Sequence, residues 1–406
     1  MQLGVGLLIV VGLPCLDIWL DWEAGMFRPF FISVLAGSTL AFMMGTWQYR
    51  SIAIFPGVKG ASNIISSFTM SYGLLATLFL LTRLDYSRML LLSSYLLALG
   101  WFYFLYFAGA RRKSIIVGLL PMGDTSELEQ LSAVDWVRLD NPGITRKDIH
   151  AVAADLRRDI PDEWDRTIAD YALAGIPVFH SKHLLESLTG RVELEHISEN
   201  SFGTLHPGSV WMRIKRLVDV CLAFAVLALI WPLLLIIGLL VRLDSPGPAL
   251  FRQVRTGYRG RAFTVIKFRT MKTTDATHPD LTQVVTRADD PRITRLGAFL
   301  RRSRIDEIPQ IINVIKGEMS FIGPRPEAEV LSQHYEAMIP FYRYRHIVYP
   351  GISGWAQVNQ GYVTEVEDAR EKLQYDFYYI KNFSAWLDLL IVAKTIRTML
   401  TGFGSK

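Results

Sequence analysis

The stretch that decides the fold is residues 221–241, which read CLAFAVLALIWPLLLIIGLLV and carry no charged side chain. An uncharged run of this length matches the roughly 20 residues that a helix needs to cross about 30 Å of hydrocarbon. Trp231-Pro232 lies at its midpoint, where proline removes a backbone donor and bends or interrupts a helix. Cations lie on both sides of this run, within 213–216 and at Arg242. A transmembrane span would carry its Lys and Arg residues mainly at one end. The pattern favours a helix–break–helix hairpin over about 213–242 that re-enters one leaflet, with a proline-kinked span as the alternative.

Four further apolar stretches occupy the first quarter of the chain, and each is long enough to span a bilayer. We therefore expect residues 1–110 to form four transmembrane helices. Because no Lys or Arg precedes the first stretch, we expect a retained span and not a cleaved signal sequence. Cations gather at Arg50, Lys59 and 111–113, which predicts that both ends of this unit face the cytoplasm. The stretches are 1–20, 29–49, 61–82 and 89–110.

Composition excludes several classes of protein. Half of the 406 residues are apolar and only 20% are charged, which is typical neither of a disordered chain nor of a nucleic-acid-binding one. The two cysteines, Cys15 and Cys221, lie inside apolar runs and cannot staple a small secreted fold. The formal charge of +5 is compatible with anionic lipid or phosphate as a partner, and no nucleic acid is expected.

Residues 111–207 alternate short apolar pieces with amphipathic helical ones, which predicts a small α/β domain. The predicted strands are 114–120, 134–139 and 192–194. A dinucleotide-binding turn would follow the first strand, yet residues 118–123 read GLLPMG and lack the G-x-G-x-x-G spacing. A structural or regulatory role is therefore favoured over cofactor binding.

The chemistry concentrates in residues 208–406, around RRSRIDEIP at 301–309. Apolar residues over 293–317 have helical spacing, but Pro309 predicts a break, with a new helix from about Asp306 to Gly317. Asp306 and Glu307 would then lie at a helix start, which favours phosphate nearby. An aspartate is ionised at neutral pH and can attack phosphorus, and a neighbouring carboxylate suits Mg²⁺. The alternative is a helix cap beside a solvated arginine face.

Several cations are candidates to share this site. Arg301 precedes the two acids on the same predicted helical run, and its guanidinium could fork onto a phosphate. Lys267 and Arg269 alternate at a predicted strand end, and Arg325 lies in a rigid turn, GPRPE at 323–327. Each has a purely structural alternative as an edge-strand charge or a turn residue.

Together these motifs closely resemble the monotopic polyprenyl-phosphate sugar-1-phosphate transferases of bacteria. The preceding spans and α/β domain resemble the large members that start exopolysaccharide or O-antigen synthesis, in which that domain is a degenerate Rossmann-like fold. The resemblance implies a membrane protein with a four-helix transmembrane bundle, that α/β domain, and a mainly helical catalytic domain anchored by the re-entrant hairpin. The motifs are KRLVD at 215–219, KFRTM at 267–271, DEIPQ at 306–310, GPRPE at 323–327 and GISGWAQ at 351–357.

The resemblance also implies an activity. Asp306 would attack the β-phosphorus of a UDP-sugar and release UMP, and undecaprenyl phosphate would then accept the phospho-sugar. Glu307 matches the Mg²⁺ ligand of the family. The family positions that hold phosphates or the nucleotide match Arg301, Lys267, Arg269 and Arg325. A family acid of undefined role matches Asp376.

The implied location is the bacterial inner membrane, with the catalytic domain on the cytoplasmic face, in contact with lipid, and a homodimer is possible. A different class of function is a non-catalytic, nucleotide-sensing membrane scaffold. A third is Mg²⁺-dependent hydrolysis of a nucleotide diphosphate. No motif identifies the sugar or the polysaccharide pathway.

Overall fold

The structure is a computed structural model that divides the chain into two compact units, residues 1–190 and 191–406. The predicted domain boundaries, 110/111 and 207/208, fall outside the residues that it describes. Those residues are 2–14, 30–52, 61–109, 115–122, 125–132, 134–143, 146, 148–155, 160–192, 209–272, 290–360 and 366–401.

The first unit begins with long apolar helices. Helical conformation is confirmed for residues 30–49, 61–82 and 89–109 of the predicted stretches 29–49, 61–82 and 89–110, whereas only residues 2–14 of the first stretch are described. In the described part of the chain, three helices are long and apolar enough to cross a membrane, two here and one in the second unit, as expected of a membrane protein. The elements here are α1 (Gln2–Leu7), a π-helical turn (Leu8–Gly12), α2 (Phe30–Ile52), α3 (Ala61–Thr82) and α4 (Arg88–Gly109).

Aromatic side chains hold these helices together. The rings of Phe68 and Phe102 lie 4.7 Å apart between centroids, and Phe42 packs against both. The hydroxyls of Tyr72 and Ser94 form a buried hydrogen bond of 2.9 Å between α3 and α4. The helices therefore share a packed core and do not stand as separate rods.

A parallel four-stranded sheet completes the first unit, in the strand order β2 (Asp135–Arg138), β1 (Ile116–Leu119), β3 (Ala151–Ala154), β4 (Val178–His180). The strands predicted at 114–120 and 134–139 are confirmed over residues 116–119 and 135–138. All four residues of β3 are buried, as in a parallel strand covered on both faces. Of the predicted strand at 192–194, only Val192 is described, and it belongs to no strand. The elements are β1 (Ile116–Leu119), α5 (Ser126–Glu129), β2 (Asp135–Arg138), β3 (Ala151–Ala154), α6 (Asp162–Leu173), β4 (Val178–His180) and α7 (Ser181–Thr189).

The second unit starts with α8 (Ser209–Asp244), one continuous helix of 36 residues with Pro232 inside it. The expected interruption of the helix at Trp231-Pro232 is therefore wrong. Proline removes one i→i−4 hydrogen bond, and Ile230 and Leu234 on either side of it pack against the domain that follows. Whether the helix re-enters one leaflet stays a prediction.

One face of α8 contacts this domain along most of its length. Ala223 packs with Phe263 and Met319, and further along Ile237 and Val241 pack with Phe268 and Leu300. The helix also exposes large apolar side chains, which include Leu222, Phe224, Leu229, Trp231, Leu233, Leu235, Ile236, Leu239 and Leu240.

The rest of the second unit is mainly helical, with an antiparallel hairpin (β5–β6) and a short parallel pair (β7–β8). The last helix buries Leu390 and Ile391 and exposes Val392 and Ile396, so it has both a core face and an apolar outer face. The elements are β5 (Leu250–Thr256), β6 (Ala262–Phe268), α9 (Arg295–Arg302), α10 (Ile311–Lys316), β7 (Ser320–Ile322), α11 (Glu329–Met338), β8 (Gly351–Ser353), α12 (Trp355–Asn359), α13 (Val366–Lys381) and α14 (Ala385–Thr401), with 3₁₀ turns at Tyr258–Gly260, Ile305–Gln310 and Tyr342–Ile347.

Candidate active site

The two acids lie on the 3₁₀ turn Ile305–Gln310, between α9 and α10. The preceding Arg304 has φ 55°, in the left-handed region, and this turns the chain after α9. The predicted break and the predicted helix end at Gly317, which has φ 91°, are both confirmed. The α-helix itself begins only at Ile311, because Pro309 has no N–H to donate within the preceding turn. Asp306 and Glu307 are 9% and 6% exposed. The two acids are therefore buried and are not solvent-exposed helix caps.

Strand β6 brings Lys267 to this turn. Alternation along the strand places Phe263, Val265 and Lys267 on one face, and the first two pack against α10. Asn313 of α10 fixes the register, since its Oδ1 accepts the Ile266 N–H at 3.1 Å and its Nδ2 donates to the Thr264 carbonyl at 2.7 Å. Lys267 Nζ then lies 2.9 Å from Glu307 Oε1.

Arg325 reaches the same carboxylate from the turn at 323–327. Its Nη2 lies 2.6 Å from Glu307 Oε1 and its Nη1 3.3 Å from Oε2. The turn is held against β8 by Gly323 N–H donating to Ser353 O and by Gly351 N–H donating to Pro324 O, each at 2.9 Å. A Cβ on Gly351 would come within 2.1 Å of Gly323 N, so only glycine permits this approach.

These contacts set the charge states of the site. Burial disfavours the Glu307 carboxylate, but Arg325 and Lys267 outweigh it and hold the pKa of Glu307 well below its usual value. Burial lowers the pKa of Lys267 to about 8, against the opposing pull of Glu307. Glu307 is therefore a fixed carboxylate at all physiological pH values.

Asp306 lies in a different environment from its neighbour. Among the described residues no donor forms a hydrogen bond to its carboxylate. Burial and the charge of Glu307 raise the pKa of Asp306, and Lys267, Arg325 and Arg301 oppose that shift. Arg301 is held by its Nε donating to Thr270 Oγ1 at 3.0 Å. A buried carboxylate surrounded by cations but bonded to none of them can act as a nucleophile.

Comparison with known proteins identifies the family. A family profile described as "Bacterial sugar transferase" matches residues 210–402. An Aeromonas hydrophila UDP-N-acetylgalactosamine-undecaprenyl-phosphate N-acetylgalactosaminephosphotransferase is 44% identical over 406 aligned residues, covering 99% of this chain and 95% of the relative. The chain belongs to the bacterial sugar transferase family.

Other relatives of this sugar transferase share only part of it. A UDP-glucose:undecaprenyl-phosphate glucose-1-phosphate transferase of Xanthomonas campestris pv. campestris is 48% identical over 45% of this chain and 37% of its own length. A Caulobacter vibrioides protein with the same description is 44% identical over 49% of this chain and 76% of its own. The chain is thus an enzyme of the polyprenyl-phosphate sugar-1-phosphate transferase class.

Two of the residues that the sequence nominated lie away from the acids of the transferase. Arg269 follows β6, and its Nη2 donates to the carbonyls of Val241 (3.3 Å) and Ser245 (2.6 Å) at the end of α8. Asp376 on α13 is fully buried and forms an ion pair of 2.8 Å with Arg345. The alternation of Lys267 and Arg269 in the sequence suggested that both side chains lie at one site. The strand ends at Phe268, and the two side chains have different partners, Glu307 for Lys267 and Ser245 for Arg269.

A buried group of charges that was not predicted from the sequence lies behind Arg325. Glu327 forms an ion pair with Lys372, and although burial disfavours its charge, Lys372 and Arg345 hold the pKa of Glu327 at about 2. Arg255 Nη1 donates to the Pro326 carbonyl at 2.5 Å. The sequence held no signal for Arg345, because it alternates with the exposed Arg343 in an aromatic run.

The acids of the transferase fit Mg²⁺. That ion is bound by one or two carboxylates together with water and substrate phosphate oxygens, and two adjacent carboxylates are present. Of the residues that the structure describes, only Arg325 contacts Glu307 Oε2, through Nη1 at 3.3 Å. Within the described ranges, no group of three or more His, Cys, Asp or Glu side chains is placed to hold a metal without help from a substrate.

Proposed function

We propose that this transferase moves a sugar 1-phosphate from a UDP-sugar to undecaprenyl phosphate through a covalent intermediate on Asp306, releasing UMP. One observation carries the proposal: a buried carboxylate that accepts no hydrogen bond from any described residue lies beside a second acid that two cations hold in place. The same substrates are named for the Aeromonas relative that aligns over nearly the whole chain.

In the first step, a carboxylate oxygen of Asp306 bonds to the β-phosphorus of the donor. The bond from that phosphorus to the oxygen bridging toward the α-phosphate breaks, and its electron pair leaves with UMP. Asp306 then carries the sugar phosphate as an acyl phosphate. Arg301 and the Lys267–Arg325 pair supply positive charge close to the phosphates without moving, which is the main demand of phosphoryl transfer.

In the second step, a phosphate oxygen of undecaprenyl phosphate bonds to the same phosphorus. The acyl–phosphate bond breaks and returns the Asp306 carboxylate, and the product is a lipid diphosphate bearing the sugar. No net proton is needed in either step. Because Asp306 is 9% exposed, water has little access to the acyl phosphate, which favours transfer to lipid over hydrolysis.

Glu307 is proposed to hold Mg²⁺, with Asp306 close by. When bound, the ion neutralises the charge of the diphosphate. Lys267 and Arg325 fix the orientation of the Glu307 carboxylate, so that the chain presents one oxygen in a constant position.

Membrane topology is the second part of the proposal. We infer that α8 re-enters the leaflet that it left, with the catalytic domain on the cytoplasmic face of the inner membrane. Near its start, Lys215 Nζ lies 2.8 Å from Asp388 Oδ2, and near its end Val241 and Ser245 accept from Arg269. Contacts from both ends of one helix to one domain are difficult to reconcile with a span that places its ends on opposite sides. This arrangement would keep the acids at headgroup depth, where a lipid phosphate lies.

The first unit completes the proposed architecture. We infer a four-helix transmembrane bundle over residues 1–110 followed by a degenerate Rossmann-like domain. The parallel strand order β2-β1-β3-β4 is that of a doubly wound fold, and the turn after β1 lacks the phosphate-binding glycines.

The deciding experiment is UMP release from a panel of UDP-sugars, with purified transferase, Mg²⁺ and undecaprenyl phosphate. We expect UDP-N-acetylgalactosamine to lead the panel, since the relative covering the whole chain is named for that donor. Mass spectrometry of a digest, quenched before lipid is added, should show the sugar phosphate on the Asp306 peptide. No UMP from any donor would favour the nucleotide-sensing scaffold, and turnover that never needs lipid would favour hydrolysis.

A further inference from the structure

A buried ion pair lies directly behind the Arg325 turn. The side chains of Arg345 and Asp376 are 2% and 1% exposed, and Arg345 Nη2 lies 2.8 Å from Asp376 Oδ2. The same nitrogen donates a hydrogen bond of 2.9 Å to the backbone carbonyl of Arg325. Among the described residues, neither side chain contacts Asp306 or Glu307.

Further contacts fix the Arg345 guanidinium. Its Nη1 donates to the Tyr342 hydroxyl at 2.7 Å, and its Cζ lies 5.1 Å from the centroid of the same ring. Glu327 Oε1 is 4.0 Å away on another side. The acid, the hydroxyl and the ring restrict the orientation of the planar guanidinium, and its Nη2 donates to the Arg325 carbonyl.

That carbonyl belongs to the residue whose side chain orients Glu307. An unbroken series of contacts therefore runs from Asp376 through Arg345 and the Arg325 backbone to the Glu307 carboxylate. We propose that Arg345 and Asp376 are positioning residues that set the Arg325 turn so that its guanidinium meets Glu307. The inference rests on the proposed function only in that Glu307 is required for sugar-phosphate transfer.

Stability alone is a poor reason for this pair. Two buried charges pay a desolvation cost that often cancels their attraction, and an apolar pair of similar volume would pack as well. An apolar pair could not supply the N–H that the Arg325 carbonyl accepts. Small errors in placing a group at a reacting centre cost about 100-fold in rate. Contacts that place Arg325 correctly can therefore have a large effect on the rate.

A double-mutant cycle in the full-length transferase tests the inference. Wild type, Arg345→Lys, Arg325→Ala and the double variant are compared by steady-state UMP release with separate kcat and KM. Lysine has one donor nitrogen and cannot reach the Arg325 carbonyl, Asp376 and Tyr342 together. We expect Arg345→Lys to lower kcat about tenfold or more in the wild-type background, and less than about twofold once Arg325 is already Ala.

The matched control is Arg343→Lys, the same change two residues earlier on a side chain that is 81% exposed, which should leave kcat unchanged. Asp376→Asn, which keeps the volume and removes the charge, repeats the cycle if Arg345→Lys does not fold. Equal losses in both backgrounds, no loss in the wild-type background, or failure of both variants to fold would overturn the inference. A wild type that releases no UMP would instead overturn the proposed function.

Discussion

Nη2 of Arg325 lies 2.6 Å from Oε1 of Glu307, across 18 residues of chain. Lys267 Nζ approaches the same oxygen at 2.9 Å. Two cations therefore converge on Oε1, and Oε2 is the less restrained of the two Glu307 carboxylate oxygens. Charge-assisted contacts of this kind fix an acid in orientation as well as in charge.

Glu307→Gln should both inactivate and destabilise the transferase. Lys267 and Arg325 would remain largely buried without their counter-charge, a defect that costs about 3–5 kcal/mol in buried pairs. The response to Mg²⁺ should also disappear. Chemical denaturation in detergent and UMP release across a Mg²⁺ series measure the two effects. Glu367→Gln, on an exposed side chain in the first turn of α13, is the control, and full stability of Glu307→Gln would contradict the ion-pair account.

Asp306→Asn should abolish UMP release and covalent labelling without weakening the fold. The raised pKa of Asp306 means that burial and Glu307 disfavour its charged form, so a neutral amide of the same shape should raise the melting temperature. Asp170→Asn, at an exposed position of α6, should change neither property. Labelling that survives in Asp306→Asn would move the nucleophile to another residue.

The pH dependence of UMP release should be bell-shaped. The reaction needs ionised Asp306, whose pKa is raised, so the acid limb should lie above the ordinary value of 3.8. It also needs protonated Lys267, whose pKa is lowered to about 8 by burial, so activity should fall as pH rises through about 8. Lys267→Arg keeps a positive charge and should move the alkaline limb upward. An unchanged alkaline limb in that variant would exclude Lys267 as its origin.

The start of α8 should depend on a buried ion pair for its attachment. Lys215 Nζ lies 2.8 Å from Asp388 Oδ2, and Tyr379 donates to Asp388 Oδ1 at 2.8 Å. Lys215→Met should lower the free energy of unfolding by about 3 kcal/mol. The double variant Lys215→Met/Asp388→Leu should recover most of that loss, because Tyr379 retains the Ile322 carbonyl as an acceptor at 3.2 Å. Denaturation in detergent micelles measures the free energy of unfolding of each variant. A double variant that is less stable than Lys215→Met would refute the prediction.

Substitutions of Arg269 and Arg301 should affect different properties. Loss of Arg269 should lower stability, and loss of Arg301 should lower the reaction rate. Arg269 is bonded to the carbonyls that end α8, so Arg269→Ala should lower stability by about 2 kcal/mol. Arg301 opposes the raised pKa of Asp306, so Arg301→Ala should lower UMP release about 10- to 100-fold with an unchanged melting temperature. Melting curves and initial rates on the same preparations decide this, and the reverse pattern would assign Arg269 to the substrate.

Much of this architecture could be predicted from local sequence. The apolar runs located helices α2 to α4 and α8, and Pro309 with its charged neighbours located the turn that carries the acids. Such features depend on residues within a few turns of each other, where length, periodicity and proline act directly. The continuity of α8 through Pro232 was not predictable in this way, because packing against the following domain decides whether a proline interrupts a helix.

The tertiary structure decided which charges meet. The sequence by itself supplied two acids, four cations and Asp376 as candidates, without showing which of them meet. Only the fold shows that Lys267 and Arg325 meet at Glu307, that Arg269 turns to the end of α8, and that Asp376 pairs with Arg345. Lys267 lies 40 residues from Glu307 in the chain, and Arg325 reaches it through a turn that two glycines allow to approach β8. Contacts at such separations depend on strand register and backbone packing, which local residue patterns do not encode.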